Sequence, residues 1–182
     1  TIGLGQAPYI IAEIGTNHNK DIRLAQELVH AAAGAGAHCV KFQIYEAREI
    51  VSGKIQAHDY ELDKLYGDIS AQEMFDRHLK TPKSWFPELS NLSRNLNLDW
   101  AATIHGKNGI EWALNAKPDF VKIASMDHNN TPLLTEIVEH IKTPVLISFG
   151  MAEVEDIKIA MSILNRHQFG VGIFHCNTLY PP

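Results

Sequence analysis

Six polar residues, Glu13, Lys41, Lys122, Ser125, Ser148 and His175, stand at or just past the C-terminal end of a short apolar run. In parallel α/β architectures those ends converge on one face, where ligands bind. A lysine inside Val40-Lys41-Phe42 or Val121-Lys122-Ile123 is costly to bury unless it meets an anion or a carboxylate. For one such lysine, a structural carboxylate such as Glu13 is an equally good account. Two lysines, Glu13 and several hydroxyls on one rim favour an anion site. Lysine is then the point-charge partner of a carboxylate or phosphate, and hydroxyls satisfy the remaining oxygens. His175 leaves three readings open: a metal ligand, a general acid/base or a packed core histidine. No HxxxH or CxxC spacing completes a metal site, although His18, His105 and His128 also fall in rim loops.

The elements that must position these residues follow from the hydrophobic pattern. The run 9–14 is a buried strand ending in Gly15, and Asp21 is the expected N-cap of a helix. Leu24, Leu28, Ala31, Ala32 and Ala35 have helical spacing, and that helix closes near Gly34 and Gly36. Residues 39–42 form a second strand. The alternation then repeats, with strands at 98–104, 120–124, 145–148 and 171–175. Helix faces are marked by Trp85, Leu89, Leu92 and Leu96; by Ile110, Ala113 and Leu114; by Leu134, Ile137, Val138 and Ile141; and by Val154, Ile157, Met161 and Leu164. Thr131-Pro132 reads as a cap with proline at the first helical position. Apolar strands each followed by an amphipathic helix imply a parallel sheet covered by helices, either a barrel or a doubly wound sheet. No Gly-rich phosphate fingerprint follows the first strand, which weakens the dinucleotide-binding version. Residues 44–83 break the rhythm as a long polar insertion, read as a lid, a binding loop or an interface, or equally as a solvated excursion.

Composition narrows the function classes. The 182 residues suffice for one well-buried domain, with 45% apolar and 20% charged residues. A formal charge of −5 without a basic run disfavours nucleic acid and anionic membrane surfaces as partners. Any anionic ligand must therefore be held by a local site against the overall field. Cys39 and Cys176 lie in apolar strand-like runs and read as reduced thiols. With no membrane-length apolar stretch and no signal-peptide pattern, the reading is a cytoplasmic protein.

The same residues resemble a known family. Residues 10–19, Ile-Ile-Ala-Glu-Ile-Gly-Thr-Asn-His-Asn, are similar to the opening strand and loop of the N-acetylneuraminate (sialic acid) synthases. Residues 35–43, with their Lys-Phe-Gln ending, resemble the second strand, and Phe120-Val121-Lys122-Ile123-Ala124-Ser125 the fourth. Ser148-Phe149-Gly150-Met151 and the run from His175 to Pro181 resemble the fifth and sixth. The order holds over nearly the whole chain, apart from 44–83.

The resemblance implies a (β/α)8 TIM-type barrel, with about six of eight units in residues 1–182. The remaining strands and a small antifreeze-like domain are expected beyond them. It implies condensation of phosphoenolpyruvate with N-acetylmannosamine or a related amino-sugar aldehyde, giving a nonulosonic acid and phosphate, in surface-polysaccharide biosynthesis by a homodimer. It further implies a divalent metal, Mn²⁺ or Mg²⁺, to polarise the aldehyde. By position, Lys41, Thr103, Lys122, Ser125 and Ser148 would hold phosphoenolpyruvate. Glu13 would be the acid/base or water-orienting carboxylate, Asp127 a sugar contact, and His175 a metal ligand whose second histidine lies outside the chain. Asn17, Gln43 and Tyr180 would line the site. The 182 residues alone are expected to be inactive, with an open barrel and an incomplete metal site.

Four departures stand out. Lys20 replaces a glycine of the family pattern, Ser-Thr-Pro-Phe becomes Ala102-Thr103-Ile104-His105, Gly-Glu becomes Met126-Asp127, and Ser-Thr-Gly-Met becomes Ser148-Phe149-Gly150-Met151. They spare the phosphoenolpyruvate side and fall on the expected sugar side. This motivates a different sugar, a weakened enzyme, or a non-catalytic relative that binds an anionic metabolite or a partner protein. A barrel aldolase using Lys122 as a Schiff-base nucleophile is a further alternative.

Overall fold

A computed structural model describes residues 2–178. Six parallel strands, β1 (Ile11–Gly15), β2 (Cys39–Ile44), β3 (Asp99–Ile104), β4 (Phe120–Ile123), β5 (Val145–Phe149) and β6 (Val171–His175), form one sheet in chain order. This order separates the two architectures that the sequence left open. A doubly wound sheet reverses direction at a switch point, whereas a barrel adds each strand beside the last. Right-handed crossovers that always advance the same way leave every helix on one face.

Five helices occupy that face: α1 (Ile22–Gly34), α2 (Phe86–Asn95), α3 (Gly106–Ala116), α4 (Thr131–His140) and α5 (Val154–Leu164). Their buried residues Ala25, Val29, Leu89, Ile110, Leu134 and Leu164 pack on Val40, Phe42, Ile44, Val121, Ile123, Val145 and Ile147 of the strands. The opposite face holds a smaller apolar floor of Cys39, Ala101, Phe120 and Leu146, flanked by Tyr9 and Ile11. Strand alternation explains the split, since odd positions of β2 and β3 face one way and even positions the other.

The caps follow local chemistry. Asp21 caps α1 by accepting from the Arg23 backbone N–H. At α4 the cap is Asn130, accepting from Leu133 N–H at 3.3 Å, so Thr131 is the first helical residue and Pro132 the second. That corrects the sequence assignment by one residue. The insertion begins after Ile44, the last residue of β2. It is folded rather than extended, with short helical turns at Ala47–Ile50, Ala57–Tyr60, Asp63–Tyr66 and Ala71–Met74 and a π-helical turn at Phe75–Leu79. Its two ends are fastened to each other by Lys80, which pairs with Glu46 at 2.8 Å and with Asp76 at 2.9 Å. His18, fully buried, adds a second fastening. Its Nδ1 accepts from the Lys20 backbone N–H, so Nε2–H donates to Thr81 at 2.9 Å.

Candidate active site

The register sets the site. Glu13 pairs with Lys41 across β1 and β2, Gln43 with Thr103 across β2 and β3, and Thr103 with Lys122 across β3 and β4. All lie on the face away from the helices. Between Glu13 and Gly15 the pairing slips by one residue, and Gly15 has φ +53°. A Cβ at Gly15 would sit 2.9 Å from Glu13 Oε1, so glycine is required for the carboxylate to hold its position.

The two lysines solve their burial differently. Lys41 forms an ion pair with Glu13 and donates to Thr103 Oγ1 at 2.8 Å. Lys122 donates to the carbonyl of Ile123 at 2.8 Å and lies 5.7 Å from the centre of the Phe174 ring. No described carboxylate pairs with it. Burial, reinforced by repulsion from Lys41, pulls its amine down to about 8. A structural carboxylate therefore accounts for Lys41 but leaves Lys122 in need of an anion.

A cavity of about 460 Å³ opens over these groups, lined by Glu13, Lys41, Lys122, Ser148 and Cys176 above the apolar floor of Ile11, Phe120 and Leu146. Buried Ser148 accepts from the Cys176 thiol at 3.0 Å, a contact the sequence reading missed. Thr103 joins through Lys41. Ser125, half-buried, starts the turn Ser125–Asp127 after β4, and its Oγ lies close to Gly150. Gln43 is half-buried beside Gly15, while Asn17 is exposed. Tyr180 lies outside the described residues.

Two expected residues are placed elsewhere. Asp127 is buried outside the cavity wall, with one carboxylate oxygen accepting from His105 Nδ1–H at 2.6 Å and the other from Asn130 at 3.4 Å. His175 is paired in register with Phe149, while Ser148 is paired with Phe174. Since Ser148 and Phe174 line the cavity, alternation turns His175 to the helix side of the sheet. Among the described residues no three His, Cys, Asp or Glu side chains gather to hold an ion. The described residues therefore do not make up a metal site by themselves.

The departures from the family pattern also sort by face. Phe149 is buried on the helix side, its ring 5.9 Å from that of His128, so it packs the core instead of shaping the cavity. Met126 is exposed. Only His105 and Asp127 meet each other on the rim, and the signal available in the sequence was that both departures occur together.

Comparison with known proteins bears on the family and the fold. The NeuB family model matches residues 28–182. An N,N'-diacetyllegionaminic acid synthase from Legionella pneumophila is 28% identical, covering 98% of this chain and 51% of its own length. An N-acetylneuraminate-9-phosphate synthase from Drosophila melanogaster is 29% identical over 95% of this chain and 46% of its own. The chain thus spans about half the length of these curated relatives. The crystal structure of an N-acetylneuraminic acid (sialic acid) synthetase from Leptospira borgpetersenii, in complex with citrate, superimposes with a TM-score of 0.80 at 26% identity. That match covers 100% of this chain and 60% of the other.

Proposed function

The chain belongs to the NeuB family, and from that premise we propose that its cavity holds phosphoenolpyruvate for condensation with N-acetylmannosamine or a related amino-sugar aldehyde. The products are a nonulosonic acid and phosphate, made in the cytoplasm for surface polysaccharide by a homodimer. The observation that carries this reading is the unneutralised Lys122 beside Lys41 in a chain of net charge −5.

Residues 1–182 supply the N-terminal six units of the barrel. Lys41 and Lys122 bind the phosphate and carboxylate of phosphoenolpyruvate as point charges, with Thr103, Ser125 and Ser148 completing the oxygens' hydrogen bonds. Glu13, held beside Lys41 by the Gly15 bulge, orients or deprotonates the water that adds at carbon 2. Carbon 3 of phosphoenolpyruvate bonds to the aldehyde carbon, and phosphate leaves with C–O cleavage. The divalent metal implied by the family would polarise the aldehyde oxygen. Asn17 and Gln43 are further candidates for lining the site.

Phosphate release by the full-length protein, with phosphoenolpyruvate, Mn²⁺ and a panel of N-acetylated aldoses, tests the proposal. Release that depends on one sugar is expected. Phosphoenolpyruvate binding with no release for any sugar would leave only an anion-binding protein and overturn the synthase reading.

A further inference from the structure

The rim above the cradle carries a pair that the anion site does not use. His105 and Asp127 are both buried, and Nδ1–H of the imidazole donates to the carboxylate at 2.6 Å. Asn130 holds the other oxygen of the same carboxylate. The backbone at His105 is still extended, with φ −129° and ψ 139°, so the alternation of β3 continues through it. Ala101 belongs to the cavity floor and Thr103 bonds Lys41, which puts His105 on the same face, one step of about 7 Å higher. Tyr45, the residue after the paired Ile44 and Ile104, lies edge-on to the imidazole at 6.2 Å between ring centres. Its hydroxyl is buried and has no partner among the described residues. Phe75 of the insertion packs against the other side of Tyr45.

With Nδ1–H committed to Asp127, Nε2 is the ring nitrogen left to accept a hydrogen bond. No described residue bonds Nε2. An acceptor one layer above two ammonium groups suits an uncharged, hydroxyl-rich molecule better than a second anion. We propose that His105, oriented by Asp127, recognises the acceptor sugar, taking a hydrogen bond at Nε2 from one of its hydroxyl or amide N–H groups. The inference rests on the synthase reading for the identity of that sugar. Asp127 is then a positioning residue, acting through the imidazole.

The test uses the full-length protein with N-acetylmannosamine as the probe. In His105→Phe the KM for N-acetylmannosamine should rise at least tenfold, while that for phosphoenolpyruvate stays within twofold. Asp127→Asn should raise the sugar KM severalfold and change the ¹⁵N shifts that report the His105 tautomer. A structural pair would instead move both KM values together or neither, and either result would overturn the inference. Should His105→Phe not fold, titrating the wild-type imidazole ¹⁵N resonances with N-acetylmannosamine decides. A shift at Nε2 supports the proposal, and no shift rejects it. The same titration separates the two readings, because it reports sugar binding at His105 whether or not phosphate is released.

Discussion

On β2, Val40, Phe42 and Ile44 are fully buried against the helices, whereas Lys41 and Gln43, each one residue away, are half-buried on the cavity face. β5 repeats the contrast at its end, where Phe149 packs on His128 and Ser148 faces the cavity. The two faces share one backbone and differ in what burial must accomplish. The helix face contributes stability through apolar area and close packing. The cavity face gives up that contribution, burying a lysine that has no carboxylate partner among the described residues. Substitutions on the first should therefore be read in stability, and substitutions on the second in ligand binding.

The largest effect should come from the helix face. Phe42 is fully buried and packs near Trp100, with 6.4 Å between ring centres. Phe42→Ala should cost about 3–5 kcal/mol, as for other buried aromatic truncations, measured by urea denaturation. A loss below about 1 kcal/mol would mean that the helix layer can collapse onto the sheet, and the contrast between faces would weaken.

Lys122→Met probes the other face and should act in the opposite direction. The amine is lowered from 10.5 to about 8 on folding, so the unfolded chain binds more protons between these values and wild-type stability rises with pH there. Below pH 8 the full cost of burying the ammonium is present, with an upper limit of about 3 kcal/mol, less where water reaches the amine. The variant should be more stable than wild type below pH 8, and the gap should close as pH rises toward 10.5. Phosphoenolpyruvate binding, followed by calorimetry, should be lost in the variant and should weaken in wild type above pH 8, where Lys122 becomes neutral. A gap independent of pH would show that the lysine is neutralised by some other group.

Phe149→Thr restores a residue of the family pattern and sharpens the same comparison. The side chain is on the helix face, so the variant should lose about 2 kcal/mol of stability through lost packing against His128. The KM for the sugar should not change. A changed sugar KM with little loss of stability would put Phe149 at the site after all.

The period-two alternation made most of the fold legible in the sequence, because buried parallel strands must be apolar and a charged residue inside one is conspicuous. Glu13, Lys41, Lys122 and Ser148 were found in this way and do share one cavity. Facing was harder to read. His175 and Phe149 end their strands one residue out of phase with the cavity, and at a strand end only the pairing register reveals the side. The His105–Asp127 pair joins residues 22 positions apart, and no local spacing encodes that. The insertion was recognised by its length, but its turns and its ties to His18 and Lys20 depend on long-range hydrogen bonds, and its closure by Lys80 and Glu46 on a long-range ion pair.

The smallest expected effect is at Lys20, where the family pattern has glycine. Its backbone is left-handed, with φ +57°, a conformation that costs a residue with a Cβ about 1 kcal/mol relative to glycine. Against that strain, its ammonium donates to the carbonyl of Asp76 and helps fasten the π-helical turn of the insertion to the first loop. A charge-assisted hydrogen bond at an exposed site contributes about as much as the strain removes. Lys20→Gly should therefore leave global stability within about 0.5 kcal/mol of wild type. The insertion should nonetheless loosen, and limited proteolysis within residues 52–80 is the measurement that separates the two terms. Unchanged cleavage with raised stability would show that the bond to Asp76 contributes nothing. Faster cleavage at unchanged stability would show that this chain uses the lysine to hold its insertion over the rim.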